Sequence, residues 1–194
     1  MRGVRLGAEG DPAESYTTGG QPSERNGMGT QKNSGGRANI EARLGSIAEL
    51  LGRELPPHPP VDHTPDAQHC HLFEEAQQLY ENELAWEEET GEESTESGSV
   101  VALVFPGTLA LVDALLTTHT ASELGEGGPH RDVVSDFLIW LADRLLKLRS
   151  GQIHASATQR AKEVDLTDRL IDLVLHRYCG LNDDEMDRLD AFKN

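Results

Sequence analysis

Between Arg131 and Arg149 the apolar residues Val134, Leu138, Leu141, Leu145 and Leu148 recur at alternating steps of four and three, and Phe137 and Trp140 widen the stripe. That spacing puts all of them on one side of an α-helix, and so apolar a side has to be covered by something. The nearest cover in sequence is a second stripe, Leu170, Ile171, Val174, Leu175 and Tyr178, in a helix predicted over Val164 to Tyr178 with Asp168, Arg169, Asp172 and Arg177 left to water. The small, polar stretch from Ser150 to Gln159 joins the two as an antiparallel hairpin. The second helix has a legible end. Gly180 suits the left-handed position past a last turn, Leu181 can fold back onto it, and Asn182 followed by Glu185 has the form of a capping box. Asp183 and Asp184 add negative charge where the next helix dipole is positive.

The rest of the chain is read against that hairpin. Ile40, Leu44, Ile47 and Leu51 share one side of a helix that Leu55-Pro56-Pro57 must end, and Pro56 to Pro65 is an extended linker. Ala67 to Glu89 is a long acidic helix with Leu72, Phe73, Ala76, Leu79, Tyr80, Leu84 and Trp86 as its apolar stripe, followed by a polar loop from Gly91 to Ser99. Val100 to Phe105 is the one strand-like run, short and β-branched before Pro106-Gly107; since one strand cannot make a sheet, it either pairs with a partner chain or is the buried lead-in to a further helix over Thr108 to Thr118. Met1 to Arg37 is rich in Gly, Ser, Thr, Asn and Gln and cannot bury enough apolar surface to offset its ordering entropy. The expected fold is therefore mainly α, a small helical bundle with a C-terminal antiparallel helical hairpin and a disordered N-terminal tail. Its divisions are a tail over 1–37, an acidic helical region with a Pro-rich linker over 38–99, and a helical domain over 100–194. No apolar run follows Arg2 and Arg5, and the run Val100 to Leu116 is broken by Pro106 and Asp113, so a cytoplasmic protein without a membrane span is expected.

Charge narrows the partners. The chain carries 17 Lys and Arg against 34 Asp and Glu, a net charge of -17. From Glu54 to His130 there is no Lys or Arg, while acids gather at Glu74-Glu75, Glu81, Glu83, Glu87-Glu88-Glu89, Glu92-Glu93 and Glu96. A free-standing DNA binder needs a basic stripe to displace counterions, and this segment would repel phosphate. Two readings stay open: a solvated acidic face of the halophile type, where repulsion is screened over about 3 Å at 1 M salt, or an acidic surface that meets a basic partner protein. The scarcity of Lys relative to Arg favours the first.

Several clusters invite chemistry. His58, His63, His69, Cys70 and His71 offer nitrogen and sulfur ligands within a short span, but positions 69, 70 and 71 cannot all converge on one ion from a regular helix start, and no metal site is expected. Cys70 and Cys179 are too few for a disulfide framework, and Cys179 sits at the negative end of a helix dipole, which disfavours a thiolate. No strand-turn-helix elbow displays a serine nucleophile. Phe137, Trp140 and Tyr178 beside basic residues have the makings of a base-stacking set, although their spacing is that of a core. If the hairpin meets nucleic acid, Arg144, Lys147, Arg149, Arg160 and Lys162 are the residues that would hold phosphates.

One resemblance adds to this. The run Ile171-Asp172-Leu173-Val174-Leu175-His176-Arg177-Tyr178-Cys179-Gly180-Leu181-Asn182-Asp183-Asp184-Glu185-Met186 resembles the phrase I-D-x-L-V-Y-x-L-Y-G-L-T-x-E-E-I at the C-terminal tail of adenine-specific DNA methyltransferases and methyltransferase-restriction fusion enzymes, and the helix Asp136 to Leu148 is similar to the one before it. Leu175 stands where the family has an aromatic, Cys179 interrupts its Tyr-Gly pair, and nothing before residue 130 continues the match. The catalytic motifs of that family are missing. Pro56-Pro57 and Pro59-Pro60 lack the Asn or Asp before and the aromatic after that a base-gripping loop needs, and Gly125 to Gly128 is not followed at once by a helix. The resemblance therefore implies a non-enzymatic piece with no cofactor: an accessory or target-recognition-like module of a restriction-modification or phage-defence system. Such a module docks on a larger subunit, a DNA methyltransferase or nuclease, through Val134, Leu138, Leu141, Leu145, Ile171, Val174, Tyr178 and Leu181. The alternative is an unrelated acidic helical adaptor, or a protein that associates with itself.

Overall fold

The computed structural model describes residues 34–55, 64–90, 99–117, 129–153 and 155–193, all within one compact unit, Lys32–Asn194. These residues form seven α-helices and no strand: α1 Ser34–Leu51, α2 Ala67–Thr90, α3 Ser99–Val104, α4 Pro106–Leu116, α5 Arg131–Arg149, α6 Ala157–Cys179 and α7 Asp183–Lys193. The expected tail lies outside the described residues up to position 33.

The bundle is built around α5, which packs on α1, α2, α4 and α6. Its seam residues Val134, Leu138, Leu141, Leu145 and Leu148 are buried, and so are Val133, Phe137, Ile139 and Ala142 on its other sides. A helix with buried residues on this many sides belongs at the centre of a bundle rather than on its surface. α5 and α6 form the expected antiparallel hairpin, and Leu170, Ile171, Val174, Leu175 and Tyr178 of α6 are buried on it.

Both ends of the hairpin use glycine in the left-handed region. Gly151 (φ 73°) follows α5, where its amide donates to the Leu148 carbonyl at 3.1 Å and the Gln152 amide to Lys147 at 3.0 Å. Gly180 (φ 61°) repeats the arrangement after α6, its amide donating to Arg177 and that of Leu181 to His176, each at 3.0 Å. Asn182 and Glu185 then form the expected capping box of α7, the Glu185 amide donating to Asn182 Oδ1 at 3.0 Å and the Asn182 amide to Glu185 Oε2 at 3.1 Å.

Four expectations need correction. The strand-like run Val100 to Phe105 is not a strand but helix α3, a buried lead-in to α4: with no strand to pair with among the described residues, it satisfies its amides locally and buries Val101, Val104 and Phe105 at helical spacing. α6 begins at Ala157, ahead of the expected Val164, because Ser156 and Gln159 make a second capping box. Residues 34–37, assigned to the tail, are the first turn of α1. The division at residue 99 does not appear either, since α1 and α2 share one hydrophobic core with α4, α5 and α6.

α1 reaches that core through small residues. The Gly36 amide donates to Asp143 Oδ1 of α5 at 2.7 Å, and a Cβ on Gly36 would lie 2.5 Å from the Ile139 carbonyl oxygen. A backbone oxygen cannot step aside as a flexible side chain can. Gly36→Ala is expected to cost roughly 1–3 kcal/mol in urea denaturation. By contrast Gly45, exposed in the same helix with nothing within 4 Å of a Cβ, is expected to gain about 0.5–1 kcal/mol on replacement by alanine. Equal effects at the two positions would mean that α1 does not approach α5 this closely.

Candidate functional site

Polar chemistry inside the bundle is concentrated where α2, α5 and α6 meet. Tyr80 of α2 is buried, stacked on Phe105 at 5.2 Å and edge-on to Trp140 at 5.5 Å. Its hydroxyl shares a hydrogen bond with Thr167 Oγ1 at 2.7 Å and donates to Glu163 Oε1 at 3.4 Å. Arg144 of α5 completes the group: its Nε donates to Glu163 Oε1 at 2.7 Å, and its guanidinium lies over the rings of Tyr80 and Trp140 at 5.2 and 5.7 Å. Burial pushes the Tyr80 hydroxyl up to about 12, against the opposing pull of Thr167 and Arg144. Burial also works against the Arg144 charge, but Tyr80 and the carboxylates of Glu163 and Glu81 outweigh it and hold the guanidinium protonated. Tyr80, Arg144, Glu163 and Thr167 together tie α2, α5 and α6.

The second cluster is His69. Buried at the start of α2, its ring nitrogens face two carboxylates of α5, Asp132 at 2.9 Å and Asp136 at 3.0 Å. Burial pushes the Asp132 carboxyl upward, yet hydrogen bonds from His69 and the Val133 amide outweigh it and hold that carboxyl below the ordinary carboxylate range. Cys70 and His71 point elsewhere, being half-buried and exposed. His58 and His63 lie outside the described residues, and among the described ones no three His, Cys, Asp or Glu side chains come together as a metal site would need.

A third cluster lines a groove of about 500 Å³ between α1, α6 and α7. Arg43 of α1 grips Asp168 and, at 2.7 Å, Asp172 of α6, above the apolar Ile47, Leu50 and Leu189. Glu83 of α2 makes another tie: it accepts the Gly107 amide at 2.6 Å and the Thr108 amide at 3.1 Å, capping α4 from a neighbouring helix. α4 has no side-chain cap of its own, and sequence reading had no means of finding one 24 residues away.

The expected docking residues must be corrected. Val134, Leu138, Leu141, Leu145, Ile171, Val174 and Tyr178 are at most 1 % exposed, and Leu181 is half-buried against the same core. They cover one another and α1, α2 and α4, so they present no surface to a larger subunit. Of the basic residues weighed for phosphate contact, Arg144 pairs with Glu163 and Glu81, Arg149 with Asp168 at 3.2 Å and Lys162 with Glu87 at 2.9 Å. Lys147 is exposed on α5 and Arg160 reaches the turn at Gly151. No helix among the described residues is long and apolar enough to cross a membrane. The chain matches no family model, no curated protein and no solved structure.

Two measurements probe these sites. Arg144→Met strands the buried Glu163 carboxylate and is expected to cost roughly 3 kcal/mol, most of it recovered by adding Glu163→Leu; an additive double variant would mean the two do not form a pair. The second uses Cys179, free and buried, whose thiol burial pushes up from 9.0 to about 11. Its neutral form is the one the fold favours. Its contribution is intact below pH 9 and is lost as the pH rises through about 11, with Tyr80 following from 10.0 toward about 12. The urea midpoint should fall over that alkaline window, less steeply in Cys179→Ala, and a thiol reagent at neutral pH should modify the half-exposed Cys70 well before Cys179. A flat alkaline profile would contradict the burial of both groups.

Proposed function

We propose that this chain is a non-catalytic helical adaptor that meets a basic partner protein through the acidic outer side of α2. The observation that carries the reading is where the cations go. Arg43, Arg53, Arg131, Arg144, Arg149, Lys162 and Arg177 are each engaged with carboxylates or carbonyls of another helix, whereas Glu74, Glu75, Glu88 and Glu89 of α2 are exposed and have no basic partner among the described residues. α2 itself contains no Lys or Arg, and its Trp86 is 60 % exposed. An acid-rich helix side with an aromatic in it suits a positively charged protein surface and repels phosphate. The accessory role implied by the C-terminal resemblance is a narrower form of the same proposal: the basic DNA cleft of a methyltransferase or nuclease is one surface of the required kind, reached through α2 and not through the buried hairpin. Self-association is the competing reading.

The test compares the full chain with a variant carrying Glu74→Lys, Glu75→Lys, Glu88→Lys and Glu89→Lys. Partners captured from host extract should cross-link to α2, dissociate as salt is raised, and be lost by the variant. Cross-links confined to α1 or α7, or a homo-oligomer that persists in the variant, would refute the adaptor role of α2.

A further inference from the structure

The α2 surface is not only charged; beside Leu84 it is also grooved. A cavity of about 370 Å³ lies between α2 and the α5–α6 turn, with Leu84, Ala85, Ile153 and Ala155 as its apolar wall and Glu81 and Glu88 as its exposed acids. Arg144 and Glu163 close its inner side as an ion pair, so they add no net charge there. On the other side of Leu84 and Glu88 lies a smaller groove of about 130 Å³, bordered by Leu84, Leu166 and a lysine of this chain, Lys162. The Lys162 side chain shares the lining of that groove with Leu84 and Leu166, and its ammonium meets Glu87 at 2.9 Å. A lysine stem on an apolar wall with its ammonium on a glutamate is the arrangement that long cationic side chains favour.

Resting on the adaptor reading, we infer that the larger groove is the seat for a lysine side chain of the basic partner, its methylenes along Leu84, Ala85, Ile153 and Ala155 and its ammonium between Glu88 and Glu81. Two features make the occupant a long-stemmed cation rather than any cation. The acids stand at the exposed edge while the wall is hydrocarbon, so a short-stemmed cation meets the carboxylates without covering the wall. Glu88 also has no basic partner among the described residues, unlike Glu81 and Glu87 on the same helix.

The probe is hexalysine, compared with hexa-2,4-diaminobutyrate, which carries the same charge on shorter stems, at mildly acidic pH where both are fully protonated. Binding to the full chain is followed by salt-dependent titration and by methyl NMR of Leu84, Ala85, Ile153 and Ala155. Hexalysine is expected to bind about tenfold more tightly than the short-stemmed peptide, a difference of roughly two buried methylenes, and to shift these methyls. Ala85→Gln, which narrows the groove without changing charge at an exposed position, should abolish the stem-length preference. Equal affinity of the two peptides with unmoved methyls would overturn the groove and leave the acidic adaptor standing, since that is a purely electrostatic surface. No binding of either peptide would overturn the groove as well, and the partner capture with the four-site charge-reversal variant would then decide the adaptor role separately.

Discussion

Everything in this bundle follows from the need to cover α5. A helix with buried residues on nearly every side has no stable existence alone, and one neighbour can cover only one stripe of it. α1, α2, α4 and α6 all pack on it, with α1 making its close approach at Gly36. The hairpin is thus the nucleus of the architecture but not a free-standing module. That constraint also decides what the hairpin can do. Residues that look, in sequence, like a sticky stripe are spent inside the molecule.

The second organising fact is how an acidic chain places its few cations. Exposed ion pairs contribute little each, about 0–1 kcal/mol, and several here are exposed on at least one side. Their arrangement matters more than their strength. Arg43 joins α1 to α6, Arg144 joins α5 to α6 and α2, Lys162 joins α6 to α2, and Arg177 joins α6 to α4. Each spans at least two helices and so ties the register of one to another. Using cations this way leaves the outward character of α2 negative.

The helices and their ends were legible because their signals are local. Gly180, Leu181, Asn182 and Glu185 act within a few residues of one another, and the structure places each as the spacing demanded. The capping box at Ser156 and Gln159 was equally local and readable, but the small, polar run around it reads as a linker when apolar periodicity is the only guide. Val100 to Phe105 was misleading for a different reason. β-branched residues favour a strand only where a strand exists to pair with, and tertiary context converted this run to a helix burying Val101, Val104 and Phe105. What sequence could not supply were the long-range polar ties. Glu83 on the α4 amides, His69 between Asp132 and Asp136, and Glu163 under Tyr80 join residues far apart in the chain, and nothing in a one-dimensional pattern pairs them.

Those ties show where the polar chemistry of the bundle is used. A buried His flanked by two carboxylates, or a Tyr, Glu, Arg and Thr in one network, has the composition of a catalytic site. In this fold every one of those groups is turned toward another helix and satisfied there, and the Tyr80 hydroxyl is displaced away from the range in which it would exchange protons at neutral pH. Catalysis needs such groups aimed at a cavity where a reacting atom can sit. The cavity beside Leu84 borders this network through Glu163, Arg144 and Glu81, the arginine ion-paired with both carboxylates. Its remaining lining is the apolar Leu84, Ala85, Ile153 and Ala155, with Gln159 and the exposed carboxylates of Glu81 and Glu88.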